Sequence, residues 1–267
     1  MSDREAGFLS LSGWWIRRVL PWVAAAVLSI GGTLLVMLPV AWLAPVLAYA
    51  SHEQVELAGP EGSLWDGQAN LVLAAAEDPT VRTELPARIH WHTAFWPLLM
   101  GHLRVRVEAN DALPQPVELD ASLRRSTVSA GTLNIPASLL SGLGAPFNTL
   151  GLEGRMRLEW SACSAVGQSP FCQMTLSADQ LSSRMSRVSP LGSYRFEVVL
   201  NGQTMGLVLK TTEGPLRLEG NGGLDGGRFQ FNGRAQSDPS AGASLAGLLS
   251  LLGIQQPDGS YALTFSR

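Results

Sequence analysis

Beyond residue 51 the chain alternates. Leu103, Val105 and Val107 are separated by Arg104 and Arg106, and Val117, Leu119 and Ala121 by Glu118 and Asp120. The same period of two runs through Met156, Leu158 and Trp160, and through Tyr194, Phe196 and Val198, with arginine and glutamate between them. Leu216 and Leu218 flank Arg217, and Phe229 and Phe231 flank Gln230. Residues two apart share a strand face, so each run predicts a strand with one apolar and one charged side. Asn201-Gly202, Glu213 to Pro215 and Asp225 to Gly227 are turn punctuation between them. The pattern predicts an antiparallel sheet with meandering connections.

Two stretches break the alternation. Ile135 to Gly151 is apolar but interrupted by Gly and Pro, and predicts a short helix around Ala137 to Leu143. Ser237 to Gly253 predicts a second helix, with Asp238 as N-cap, Pro239 at the first helical position and Gly253 as the stop. Leu245, Leu248, Leu249 and Leu252 would form its packed face.

Ahead of the sheet, Val19 to Ser51 contains no charged residue. About 20 apolar residues cross a bilayer core, so this run predicts a membrane-spanning helix over residues 19–48. Trp14, Trp15 and Trp22 mark one interface, and Trp42 and Tyr49 the other. Arg17 and Arg18 precede the run and no basic residue follows until Arg82. The positive-inside rule then keeps residues 1–18 in the cytoplasm and exports residues 52–267 as a β-rich domain. Ala48 to Ala50 matches a signal-peptide cleavage pattern, but a signal core is usually only about 7–15 residues long, which favours an uncleaved anchor. The expected fold is mainly β: one N-terminal transmembrane helix, then an antiparallel periplasmic sheet with one or two short helices. Acidic-glycine starts at Glu61 and Glu219 hint at two sheet units, 52–134 and 150–267.

Composition narrows the chemistry. Net charge is −3 and Lys210 is the only lysine among 19 basic residues, so neither a nucleic-acid surface nor a polybasic lipid patch is expected. Cys163 and Cys172 bracket a short loop between two strand-like runs, with no metal-spaced partner. In an oxidising compartment they predict a disulfide, worth about 2.5–3 kcal/mol by the chain-entropy model. His90 and His92 share a strand face with His102 nearby, but without a carboxylate partner they read as surface histidines. The glycine run Asn221 to Gly227 lacks the helix a phosphate cradle needs and reads as a hairpin turn. No catalytic residue, metal site or cofactor is expected.

Two apolar features stand out. In "GSLWDGQANLVL", Trp65 shares a face with Gly67, Ala69 and Leu71, which would let the indole lie flat along its own strand. Gly62, Trp65 and Gly67 belong to this packing device, which by itself names no function. "HTAFWPLLMGH" is the most apolar exported stretch; it reads as core or, through Phe95, Trp96, Leu98 and Leu99, as a candidate surface for a membrane or a partner.

Together "GSLWDGQA", "HWHTAFWPLLMGHLRVRV", "PASLLSGLGAPFNTLGLEGRMRLEW", the paired cysteines and "GPLRLEGNGGLDGGRFQFNGRA" resemble type II secretion system protein N, the GspN family. The resemblance runs through most of residues 55–265. It implies a non-enzymatic accessory subunit at the bacterial inner membrane, partnered by other type II secretion subunits. It also implies that Gly62, Trp65 and Gly67 are a structural signature of the sheet rather than an active site. "LRLEGNGGLDGGRFQFNG" also resembles AsmA-like periplasmic proteins, which implies an alternative: lipid carried along a concave apolar face. An open apolar groove would favour the lipid reading, and a closed core the scaffold.

Overall fold

The computed structural model describes residues 19–23, 25–26, 29, 31–33, 38–40, 43–51, 55–74, 82–143, 147–225 and 227–266. The predicted span over residues 19–48 falls partly outside them, and within it Leu38 to Val40 are not α-helical: Pro39 forms a β-bridge with Ser63. Among the described residues no helix is long and apolar enough to cross a membrane. The described residues among 19–33 are helical, and helix α1 covers Leu43–Ala50.

The remainder is one antiparallel sheet. Its strands are β1 (Val55–Gly62), β2 (Asp66–Ala74), β3 (Arg82–Ala94), β4 (His102–Ala109), β5 (Leu113–Ser122), β6 (Arg125–Val128), β7 (Gly131–Pro136) and β8 (Leu152–Trp160). They continue as β9 (Cys163–Val166), β10 (Ser169–Ser183), β11 (Gly192–Asn201), β12 (Thr204–Glu213), β13 (Leu216–Asp225), β14 (Arg228–Ser237), β15 (Ile254–Gln255) and β16 (Tyr261–Ser266). Strands β6 and β7 are one bent strand. Arg125 faces Val166 and Pro136 faces Arg155, so both pieces keep a single register against β9 and β8. Sequence neighbours then lie side by side from β1 to β14. Only at the end does the order change: β16 pairs with β14 and carries the two-residue β15 on its other side.

Every alternating run predicted from the sequence is a strand. The turns fall where the punctuation stands, and Gly202 takes the left-handed conformation that a tight β11–β12 turn requires (φ +65°). Because the strands meander, successive turns alternate between two rims of the sheet.

One face is apolar throughout and the other carries the charge. On the charged face Arg104 holds Asp120 at 2.9 Å, Arg106 approaches Glu118 at 3.5 Å and Arg88 holds Glu61 at 3.0 Å. Such exposed pairs each contribute little. The apolar face is buried in patches. Ala69 and Trp91 meet Val40, the residue where the N-terminal run reaches the domain. At the other end Leu191, Leu216 and Ala235 meet helix α4 (Gly242–Leu252) through Leu245, Leu248 and Leu249. Between them Met156, Ala178, Tyr194 and Leu209 pack under Ala137 of a 3-10 turn (Ala137–Leu143), which precedes the short helix α3 (Phe147–Leu150).

Helix α4 has the leucine face the spacing predicts but starts later than Asp238. Its first helical residue is Gly242 and its N-cap is Ala241. The Asp238 carboxylate is engaged instead by Arg217 at 2.8 Å, and the backbone closes a tight turn from Ala241 N to Asp238 O. An ion pair from the neighbouring strand outcompetes the local cap.

Candidate interaction site

Glycines seat the aromatic rings of the apolar face. The ring above Gly67 is that of Trp91, not Trp65. Gly67 and Trp91 are direct cross-strand neighbours, and a Cβ at Gly67 would lie 2.5 Å from the Trp91 ring. The Trp91 indole N–H donates to Leu64 O at 3.3 Å. Trp65 lies in the β1–β2 turn, before β2 begins, and its ring meets Phe95 edge-on at 5.1 Å. Alternation within one strand cannot show which cross-strand residue takes a vacant place. The device recurs in mid-sheet: Gly131 faces Trp160, whose ring fills the space of a Gly131 side chain and whose N–H donates to Ser129 O at 2.8 Å. It recurs again where Phe231 covers Gly220 and Gly222. The glycine run read as a hairpin turn thus lies mostly inside β13, where Gly223 instead packs against Met205 O of β12.

The signature residues therefore build a corner. Gly62 pairs with Gly67, and a Cβ on Gly62 would strike Asp66 O at 2.5 Å. Thr93 N donates to Trp65 O at 2.6 Å, and Leu64 N donates to Leu38 O at 3.0 Å. Pro39 forms a β-bridge with Ser63. The corner thus joins three segments: the residues after the N-terminal apolar run, the β1–β2 turn and the end of β3.

Beside this corner stands helix α2 (Phe95–Leu99), the connection from β3 to β4. Phe95 is half-buried against Trp65, whereas Trp96, Leu98 and Leu99 are exposed, together with Met100. Of the two readings of this stretch, the core one holds for Phe95 only in part. The other three form an apolar surface.

Cys163 and Cys172 are bonded to each other, with Cα atoms 4.5 Å apart. Their position has a structural purpose. Ser164 faces Phe171 in the β9–β10 pair, whereas Trp160 faces Met174 in the β8–β10 pair, so the register slips by one residue between them. The disulfide staples the slip.

The histidines are not brought together as a site. His90 and His92 both lie exposed on β3; His92 Nδ1 is 3.7 Å from Asp66, and His102 Nδ1 is 3.7 Å from Asp120. Among the described residues no group of three or more His, Cys, Asp or Glu stands close enough to hold a metal ion. Hydrogen bonds from Arg104 hold the Asp120 carboxyl below the usual carboxylate range, and Arg88 does the same for Glu61. Burial pushes the Tyr194 hydroxyl up; it donates to Leu216 O at 3.0 Å as a structural tie.

One cavity on the apolar face is lined by carbon alone. It measures about 280 Å³ and lies between β8, β10, β11 and helix α4, walled by Leu152, Met156, Leu176, Phe196, Leu248 and Leu252 among others. The strand runs show its walls as an apolar face, but the cavity itself depends on how α4 sits and is not legible in them.

A family model for type II secretion system protein N matches residues 53–264. The match begins just before β1 and ends inside β16, so it covers all but the last two residues of the sheet, with Gly62, Trp65, Gly67 and the disulfide. No curated protein and no solved structure matches the chain. The chain belongs to the type II secretion system protein N family.

Proposed function

We propose that this protein is a non-catalytic accessory subunit of the type II secretion system. It is held in the inner membrane by the part of the predicted 19–48 span that lies ahead of Leu38, since Leu38 to Val40 and helix α1 pack on the sheet. The sheet stands in the periplasm, and the protein supports export of folded proteins across the outer membrane. The observation that carries this reading is the family match over residues 53–264, nearly the whole sheet. The uncharged run from Val19 to Ser51, preceded by Arg17 and Arg18, supports the anchor and its orientation. The periplasmic disulfide supports the oxidising compartment.

The sheet offers a means of contact. It is open, and β15 covers only Tyr261 and Ala262 of β16. Leu263 to Ser266 are paired with β14 on one side, and among the described residues no strand lies on the other. An open edge of this kind accepts a partner strand through backbone hydrogen bonds. At the opposite end α1 packs alongside β1, so β16 is the edge assigned to a secretion partner.

Deleting the gene tests the role. Type II substrates should accumulate folded in the periplasm, and the full chain should restore their release. Unchanged secretion in the deletion strain would overturn the proposal.

A second reading rests on one specific observation, the 280 Å³ cavity with no polar wall. A dry cavity of about 150 Å³ already binds benzene, so this one has room for part of an acyl chain. Native mass spectrometry of protein purified from membranes decides this reading: a retained lipid, lost on Ala178→Trp, supports lipid handling. A chain free of lipid supports the scaffold alone.

A further inference from the structure

The exposed apolar residues of the sheet are unevenly placed. Because the strands meander, one rim collects the turns β1–β2, β3–β4, β5–β6, β9–β10, β11–β12 and β13–β14. From residue 55 onward thirteen large apolar residues are exposed among the described ones. Ten of them lie on or within a few residues of that rim; the exceptions are Met185, Leu251 and Ile254. Trp96 is 72 % exposed, Met100 79 % and Leu123 fully exposed. Folding leaves these side chains in water, while the 3-10 turn and helices α3 and α4 belong to the connections at the opposite rim.

The same rim receives the N-terminal apolar run. Leu38, Pro39 and Val40 reach the domain at Ser63, Leu64 and Trp91, on the corner beside helix α2. Val19, Leu20, Trp22 and Val23, in that run, are themselves exposed. Charge agrees. Arg124 follows Leu123 in the β5–β6 turn and Arg125 opens β6; neither forms an ion pair among the described residues, while the nearby Asp120 is held by Arg104. Tryptophan, leucine and methionine at a tip, with free arginines beside them, is the composition of an interfacial membrane contact.

We infer that this rim docks on the anionic bilayer surface beside the anchor. The β3–β4 and β5–β6 turns insert Trp96, Leu99, Met100 and Leu123 into the headgroup region. The inference rests on the anchored reading above and adds an orientation to it: the sheet stands on the membrane by one rim and presents its opposite rim to the periplasm. The outcome for the function is that the charged face and the β16 edge are held upright at a fixed height.

The test uses the full chain in vesicles of phosphatidylethanolamine and phosphatidylglycerol. Both native cysteines are bonded, so a single introduced cysteine takes an environment-sensitive dye cleanly. Leu99→Cys and Leu123→Cys report the rim, Met185→Cys the opposite rim and Val23→Cys the anchor. Dyes at 99, 123 and 23 should shift to the blue, be quenched by nitroxide lipids and resist iodide several-fold better than the dye at 185. Dyes at 99 and 123 as open to iodide as 185, with 23 shielded, would overturn the rim contact and leave the anchor standing. A water-exposed dye at 23 with 99 and 123 shielded would overturn the anchor and keep the contact. Shielding at 99 and 123 that arises only when another envelope protein is added would also overturn the contact, making the rim a protein-binding surface.

Discussion

The two ends of the sheet bury the same apolar face by different means. Near β1 to β3 the face is closed by small residues and one large ring: Ala69 and Trp91, with Val40 delivered from outside the sheet. Near β11 to β14 it is closed by leucines facing leucines, Leu191 and Leu216 against Leu245 and Leu248 of a helix that belongs to the domain. The first arrangement lets backbones approach closely and ties the domain to the segment leading from the N-terminal run. The second leaves the cavity of about 280 Å³. The N-terminal end is closed by direct contact, and the C-terminal end leaves apolar space between its leucines. The disulfide lies between them, at the register slip of β10.

The largest effect is expected at the N-terminal end. Trp91→Ala empties the space above Gly67 and removes the contact that seats Val40. Truncating a buried tryptophan costs about 3–5 kcal/mol. Denaturant unfolding should show this loss, and limited proteolysis should cut first between the N-terminal run and β1. Leu245→Ala is the matching change at the other end, where Leu245 is fully buried. It should cost about 2–5 kcal/mol, with faster hydrogen exchange in β13, β14 and α4 but unchanged protection of β2 and β3. If both substitutions loosen the whole sheet equally, the two ends are one cooperative unit and the contrast fails.

Removing the staple comes next. Cys163→Ser with Cys172→Ser should lower stability by about 2.5–3 kcal/mol, the chain-entropy value for a loop of this length. Calorimetry before and after reduction of the natural chain checks the same quantity.

Much of this was legible beforehand because strand alternation is a local signal. Arg104 to Val107 and Arg155 to Trp160 declare their faces without help from the rest of the chain. Glycine punctuation placed the turns equally well, as at Gly202 and Gly214, both in positive-φ conformations. What escaped depends on contacts between strands. Trp91 over Gly67 is a matter of register, which no single strand reports. Asp238 looked like a helix cap until Arg217 from β13 engaged it. Leu123 carried a usable signal, an apolar residue in a turn followed by two arginines, whose meaning needs the neighbouring turns on the same rim.

The smallest effect is expected with acid. Asp120 carries a depressed pKa through its hydrogen bonds from Arg104. A depressed carboxyl stabilises the fold above its unfolded pKa of about 3.9, and that contribution fades as pH falls through the lower folded value. Asp120→Asn should therefore flatten the acid limb of the stability curve below about pH 4 and leave neutral cooperativity unchanged. A thermal melt series against pH reads this. An unchanged acid limb would remove Asp120 from the N-terminal end's electrostatics.

Membership of a secretion machine is tested most directly by contact in the cell. A photo-crosslinking residue at Thr264, on the open edge of β16, should capture another type II secretion subunit in a strain exporting its substrates. The same residue at Glu197, mid-strand on the charged face between β10 and β12, should capture far less. Adducts at Thr264 that contain only lipid, or none that depend on the other secretion genes, would contradict the assignment.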